Sequence, residues 1–194
     1  DKVIENILQK YGLDKAVADY YPFQLSGGMA RKVLLATALT SGAKVIIADE
    51  PTPGLDEPSL NEVLKDFRGL ADGGCSILMI THDIEAALKI ADKVAVFYAG
   101  TTLEVANTRD FDDSAGGSGS GGDGLLRHPY SKALNNARPN VGFLPAEGSQ
   151  PFPDNLPKGC PFSDRCVMRT EECEKELPAF REIRGGKVRC IHAT

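Results

Sequence analysis

Two short apolar runs, Lys44 to Ala48 and Cys75 to Ile80, are separated by a segment whose apolar residues Leu60, Val63, Leu64, Phe67 and Leu70 fall at helical spacing. Runs of this length suit buried parallel strands, and an amphipathic helix between them suits the crossover that parallel pairing requires. That combination restricts the chain to an α/β architecture. The alternation continues through a helix from about Ile84 to Ala91 and a third apolar run, Val94 to Tyr98, turning at Gly100. The predicted pattern is β-α-β-α-β in a parallel sheet. Asp56 is the predicted N-cap of the crossover helix, Pro58 sits just inside it, and Gly73-Gly74 stops it.

Upstream, Val3, Ile4, Ile7, Leu8 and Tyr11 give an amphipathic helix ended by Gly12, and a second helix follows Ser26 with Met29, Val33, Ala36 and Leu39 on its apolar side. The pattern is already running at Asp1, so the chain reads as part of a larger protein. Between Thr108 and Gly124 the periodicity fails, and Gly116 to Gly122 reads GGSGSGG. Such a run behaves as a flexible coil and is a candidate engineered replacement for a natural loop. Pro129 to Leu134 reads as a helix start. Residues 139–161, with prolines at 139, 145, 151, 153, 157 and 161, must be extended and irregular.

Length allows one ordinary domain and a smaller second one among the 194 residues. No segment reaches the roughly 18 consecutive apolar residues of a membrane span, and no basic-then-apolar leader is present, so a cytosolic protein is expected. A net charge of -5 offers no basic stripe to track a nucleic-acid backbone. Nucleic acid is not an expected partner.

The stretch LSGGMARK, Leu25 to Lys32, places Ser26, Gly27 and Gly28 at a helix entry. Without Cβ atoms the glycines let the backbone approach an anion, and the helix N-terminus points free N–H groups and a positive dipole at the same place. Taken alone, Ser-Gly-Gly is equally an ordinary N-cap. Farther on, Asp49 and Glu50 end an apolar strand, at the carboxyl edge where α/β ligands bind. There Asp49 would hold the water shell of Mg²⁺ and Glu50 would polarise the water attacking a γ-phosphorus, since phosphoryl transfer needs placement and charge neutralisation. The bland alternative is a solvated turn. His82, in Thr81-His82-Asp83 after the next strand, is placed to bond the γ-phosphate or the attacking water, or to be a satisfied strand-end histidine.

Together these elements resemble the ATP-binding subunit of an ABC transporter. The signature is LSGGM (Leu25 to Met29), the Walker B strand VIIADE (Val45 to Glu50), the D-loop PGLD (Pro53 to Asp56) and the switch histidine His82. Methionine in place of the usual glutamine of LSGGQ is typical of importers of oligopeptides, dipeptides and nickel. Ala30-Arg31-Lys32 stands where those relatives usually have Arg-Gln-Arg, and Gly54 where their D-loop has alanine; neither change removes a catalytic group. These 194 residues contain no GxxxxGK(S/T) phosphate loop. The glutamine loop and the adenine-stacking aromatic, which precede the signature in the family, are missing as well. In the family's head-to-tail dimer, ATP lies between one subunit's phosphate loop and the other's signature. The resemblance therefore implies that Ser26, Gly27 and Gly28 bind ATP held by a partner, with Asp49 and Asp56 completing the binding set and Glu50 and His82 acting catalytically. This chain alone is expected to be inactive.

Cys75 lies alone in a strand-like run and reads as a core thiol, whereas Cys160, Cys166, Cys173 and Cys190 follow C-x5-C-x6-C-x16-C. Disulfides are improbable in a cytosolic protein. Four thiols in a proline-rich segment too small for a real core point to a metal centre that replaces hydrophobic burial. The spacing is not that of a zinc ribbon, and Cys₄ ligation suits a 4Fe–4S cluster as well as Zn²⁺. The run His128-Pro129-Tyr130-Ser131-Lys132-Ala133-Leu134 and the later Leu156-Pro157-x-Gly159-Cys160-x-Phe162-x-x-Arg165-Cys166 resemble the C-terminal extension of oligopeptide, dipeptide and nickel importer ATPases. Some members carry an iron–sulfur cluster at these motif positions. His192 is an alternative ligand or a surface histidine, and His128 reads as structural.

The expected fold is α/β: part of a P-loop NTPase-type nucleotide-binding domain with parallel strands, plus a small irregular Cys₄ metal-binding extension. Residues 1–42 would end the helical subdomain, 43–107 form the C-terminal half of the ATPase core, 108–127 a flexible linker and 128–194 the extension. The implied cofactors are ATP, Mg²⁺ and the cluster. The implied partners are a second nucleotide-binding subunit, transmembrane permeases and, through them, a substrate-binding protein, with the chain peripheral on the inner face of the membrane. A reading of a different class is a metal-cluster or interaction module with an inert nucleotide remnant.

Overall fold

The computed structural model describes residues 2–40, 42–112 and 125–194. The Gly116–Gly122 run and the side chain of Leu39 lie outside the described residues. The chain forms two compact units, Asp1–Ile90 and Ala91–Thr194.

In the first unit, α1 (Lys2–Lys10) packs on α2 (Gly27–Thr40). Leu8, Tyr11, Leu13, Val17 and Ala36 form the buried centre, with Ile7, Leu25, Met29 and Val33 around it. Gly12, at φ 66°, takes the left-handed conformation that turns the chain after α1. β1 (Val45–Asp49) and β2 (Ser76–Ile80) pair in parallel, from Val45 opposite Ser76 to Asp49 opposite Ile80. The crossover between them is α3 (Glu57–Asp72), which buries Leu64, Phe67 and Leu70. Asp56 occupies its N-cap position, although its side chain makes no capping bond. After β2 comes α4 (Ile84–Ile90), whose first turn is capped by Asp83 Oδ1 accepting from the Ala86 N–H at 3.0 Å. Cys75 is half-buried and directs its Sγ to the Ala43 carbonyl, 3.4 Å away. Val45, Ile47, Leu78 and Ile80 all point to one side of the two-stranded sheet and are exposed.

The second unit departs from the predicted alternation. β3 (Lys93–Tyr98) runs antiparallel to β4 (Thr101–Asn107) and, with β5 (Arg181–Ile183) and β6 (Gly186–Val188), forms a four-stranded sheet ordered β3-β4-β6-β5. The expected third parallel strand is thus one arm of a hairpin. The cause is local: Ala99 (φ 44°) and Gly100 (φ 80°) are both left-handed, the two-residue turn whose twist sends a strand straight back. Arg184 (φ 48°) and Gly185 (φ 76°) do the same between β5 (Arg181–Ile183) and β6 (Gly186–Val188). The extension is therefore less irregular than expected, since it also contains α5 (Pro129–Asn136) and a short α6 (Glu172–Lys175). Between Asn136 and Ser163 no helix or strand is described, as the prolines require.

The ends of the expected linker are built into this unit. Asp110, Phe111, Leu126 and Arg127 are buried. Arg127 Nη1 lies 3.1 Å from Glu104 Oε1 and 2.9 Å from Asp110 Oδ2, and its Nε and Nη2 donate to the Ile183 and Arg184 carbonyls. Glu104 also accepts the backbone N–H groups of Arg127 and His128, at 3.0 and 2.9 Å. A Cβ on Gly186 would stand 2.6 Å from the guanidinium carbon, so glycine is what lets the β5–β6 hairpin close over Arg127.

Candidate functional site

Each unit carries one constellation of the expected site residues. In the first, parallel pairing brings the C-terminal ends of β1 and β2 side by side, and the residues just beyond them meet. The Glu50 N–H donates to the Ile80 carbonyl at 2.9 Å, extending the ladder by one bond. Glu50 itself takes φ 46°, a left-handed conformation costly for a residue with a Cβ, and this turns its side chain at the end of the strand. Its Oε1 is 2.9 Å from His82 Nδ1, and Thr81 Oγ1 donates to Oε2 at 3.5 Å. The same threonine oxygen accepts the Asp83 N–H at 3.0 Å. Hydrogen bonding to Glu50, then its charge, raises the His82 pKa above the ordinary histidine value. Both side chains are open to solvent.

Ser26 caps α2, its Oγ accepting the Met29 N–H at 3.2 Å. The cap leaves Gly27 and Gly28 at the start of the helix, and a Cβ on either would meet nothing among the described residues within 4 Å. Neither has a left-handed φ. Nothing within the described chain therefore requires glycine at these two positions, where alanine would be better for the helix by about 1 kcal/mol. The structure brings Glu50 and His82 together, while the Ser26 hydroxyl bonds within its own helix. Asp49 and Asp56 are exposed. Sequence reasoning missed Arg31, whose Nη2 donates to the Pro53 carbonyl at 3.0 Å and so ties the signature helix to the PGLD turn. Its neighbour Lys32 pairs with Glu62 of α3 at 2.7 Å. Position 31 is where the importer pattern departs from its usual residue, the only signal the sequence offered.

In the second unit Cys160, Cys166, Cys173 and Cys190 line one small pocket together with His128 and His192. A run of tight turns holds the first three. The Cys160 N–H donates to the Cys173 carbonyl at 2.8 Å, and the Ser163, Cys166, Arg169 and Cys173 N–H groups donate to the carbonyls of Cys160, Ser163, Cys166 and Thr170 at 3.0 to 3.2 Å. Cys190 follows β6 and is fixed by Arg181, which donates to its carbonyl. A Cβ on Gly159 would overlap the Cys173 carbonyl oxygen, so only glycine permits this approach. Burial pushes the Cys160 thiol up to about 11 and raises those of Cys166 and Cys190. Among the described residues, no group of three or more His, Cys, Asp or Glu side chains is arranged to hold a metal ion. The expectation of a formed metal site in the extension is not met by the side-chain placement. A tetrahedral ion with bonds of about 2.3 Å draws four sulfurs to within about 4 Å of one another. A cluster of four irons carries its thiolates farther apart.

Histidines border this pocket. His128 is buried, and burial alone lowers its pKa to about 4. Its Nδ1 accepts the Tyr130 N–H at 3.0 Å, which caps α5, and its Nε2 lies 3.8 Å from Cys160 Sγ. His192 is half-buried, with Nε2 3.4 Å from Cys173 Sγ and 3.2 Å from Thr170 Oγ1.

Comparison with known proteins gives one family match in each unit. The family model described as ABC transporter matches residues 1–53, and the one described as oligopeptide/dipeptide transporter, C-terminal region, matches residues 125–173. The chain belongs to the oligopeptide/dipeptide branch of the ABC transporter ATP-binding subunits. It is 36% identical to the oligopeptide transport ATP-binding protein AppD of Bacillus subtilis (strain 168), over 95% of this chain and 56% of that protein. With the oligopeptide transport ATP-binding protein OppD of Escherichia coli (strain K12) the identity is 38%, over 87% of this chain and 48% of that one. The chain thus spans about half the length of the curated relatives it matches. Among solved structures, an inward-facing ABC transporter described as of metal-chelate type aligns with a TM-score of 0.52 and 26% identity, over 58% of this chain and 45% of that one. The fold of the ABC nucleotide-binding cassette accounts for the placement of the signature helix and the Walker B strand. Among the described residues no helix is long and apolar enough to cross a membrane.

Proposed function

We propose that this chain is the signature-to-C-terminal part of an ATPase subunit that powers import of peptides. The observation that carries the reading is the Glu50–His82 contact at the C-terminal ends of two paired parallel strands. An exposed carboxylate and imidazole at that edge are suited to a nucleotide γ-phosphate and its attacking water. Gly27 and Gly28, with open space where a Cβ would stand, support close approach of a ligand from outside the chain.

In this reading Ser26, Gly27 and Gly28 bind ATP held in the phosphate loop of a second nucleotide-binding subunit. Asp49 takes the Mg²⁺ that neutralises phosphate charge, and Asp56 follows in the D-loop, linked to the signature helix through Arg31 and Pro53. Glu50 orients the attacking water. His82 holds Glu50 in the nucleotide-free arrangement, and exchanges that partner for the γ-phosphate when nucleotide arrives. The subunit sits peripherally at the inner face of the membrane, bound to permeases that receive substrate from a binding protein. Matched relatives named for oligopeptide and dipeptide transport favour peptide over nickel as cargo.

Residues 1–42 serve as the end of the helical subdomain, 43–107 as the C-terminal part of the ATPase core, 108–127 as a connection and 128–194 as the extension. Cys160, Cys166, Cys173 and Cys190 are the residues that would hold a 4Fe–4S cluster, in preference to Zn²⁺. Such a cluster supplies one-electron redox chemistry and a covalent staple for a segment with little apolar core. Gly159 keeps the Cys160 and Cys173 turns in register.

Hydrolysis needs the phosphate loop that these 194 residues lack. The purified chain mixed with Mg·ATP is expected to release no phosphate above the uncatalysed background in a continuous phosphate assay. Sustained turnover would overturn the proposal that the nucleotide is completed from outside this chain.

A further inference from the structure

The turn between Glu50 and Asp56 offers one carbonyl outward. The Leu55 N–H donates to the Thr52 carbonyl at 3.3 Å, with Pro53 and Gly54 between them and Gly54 at φ 71°. Proline at the second place and a left-handed glycine at the third are the marks of a type II turn. In that type the peptide joining the two central residues is turned over relative to type I, so the Pro53 carbonyl faces away from the turn's own hydrogen bond. Its partner has to come from elsewhere. Arg31, half-buried on α2, supplies it, with Nη2 3.0 Å from the Pro53 oxygen. The next residue, Lys32, pairs with Glu62 of α3 at 2.7 Å. The signature helix is thus tied to the chain on both sides of Asp56. Gly54 is needed for its conformation and not for space, since a Cβ there would meet nothing within 4 Å among the described residues. Alanine disfavours a left-handed φ, and it would relax the turn toward type I, whose third residue lies near φ of about −90°. The Pro53 carbonyl would then swing away from Arg31. Arg31 and Gly54 both depart from the residues usual in the importer pattern, and one contact joins them.

We propose that Arg31 and Gly54 act as one latch, in which Arg31 is a positioning residue that holds the Pro53 carbonyl and so fixes the turn between Glu50 and Asp56 against the signature helix. The proposal rests on the ATPase reading given above. Glycine makes the outward carbonyl accessible to the backbone, and the guanidinium selects that one orientation of the peptide. Neither residue is among those that bind nucleotide in that reading. Losing the latch therefore misplaces groups that act during turnover while leaving the binding groups themselves in the chain, which lowers kcat rather than affinity.

The test uses the full-length subunit and three variants, Arg31→Gln, Gly54→Ala and the two changes together. Each single change is expected to lower kcat about 3–10-fold, the size of one lost hydrogen bond from a charged donor at a surface. KM for Mg·ATP is expected to stay within about twofold of wild type. The double variant is expected to be no slower than the slower single variant, because the second change removes a contact already lost. A double variant whose loss is the product of the two single losses would overturn the inference, as would R31Q turning over at the wild-type rate. A readout independent of turnover is the ¹³C resonance of the Pro53 carbonyl, which is expected to move upfield in both R31Q and G54A as the oxygen loses its donor. An unchanged resonance in both would overturn the latch whatever the activity. Absence of ATP hydrolysis by the wild-type subunit is a different failure. It overturns the ATPase reading, and the positioning role falls with it, while the carbonyl resonance still reports the contact.

Discussion

Glu50 and His82 are legible in the sequence as residues after two apolar runs, but their contact is not. It depends on the register that sets Asp49 opposite Ile80 and on the left-handed turn Glu50 adopts. The bond has a pH signature. Glu50 favours the imidazolium, so the pair is charged below the raised His82 pKa and loses that charge as pH rises through it. An NMR titration of the chain is expected to place the His82 midpoint above the ordinary value of about 6.5, with Glu50→Gln moving it back down. A wild-type midpoint at or below the E50Q value contradicts the pairing. The signature glycines allow a second test at this scale. Gly28→Ala meets open space in a helical conformation, so it should raise the stability of the chain to urea by about 0.5–1 kcal/mol. In the full-length subunit the same change should weaken nucleotide use. Loss of stability on G28A would mean that the chain itself needs glycine there.

At the scale of elements, periodicity located α1, α2, α3, α4, β1, β2 and β3 within about two residues, the usual uncertainty of element ends. It could not say which partner β3 takes, because a strand pattern carries no direction. That choice was made by Ala99-Gly100. β4 escaped notice for a related reason. Its sequence, Thr101 to Asn107, places the charged Glu104 at a fully buried position, where a period-two reading expects an apolar residue. The three-residue strands β5 and β6 are shorter than any pattern window. Arg127, Glu104 and Asp110 read as surface charges in the sequence, yet they form the buried joint that ties β4, the 108–111 turn, the start of the extension and the β5–β6 hairpin. Removing the cation leaves two buried carboxylates without the guanidinium they share, although backbone N–H groups still donate to each. Arg127→Met is expected to cost about 3–5 kcal/mol, read as a lower urea midpoint of the second unit. A loss below about 1 kcal/mol would show that the network is solvated.

For the whole molecule, the two family matches fall one in each unit. The first unit presents a signature helix and the end of a Walker B strand, while Val45, Ile47, Leu78 and Ile80 leave one sheet face bare. The second unit gathers four thiols and two histidines around one pocket, and its function was the less legible half, because cysteine spacing alone does not say what the thiols hold. The account stands or falls on Glu50 as the group that orients attacking water. The decisive measurement is ATP hydrolysis by the full-length subunit, wild type against Glu50→Gln, alongside nucleotide binding. Loss of a placed base should lower turnover by roughly 10²–10³-fold with binding of Mg·ATP retained. Turnover by E50Q at the wild-type rate would contradict the account.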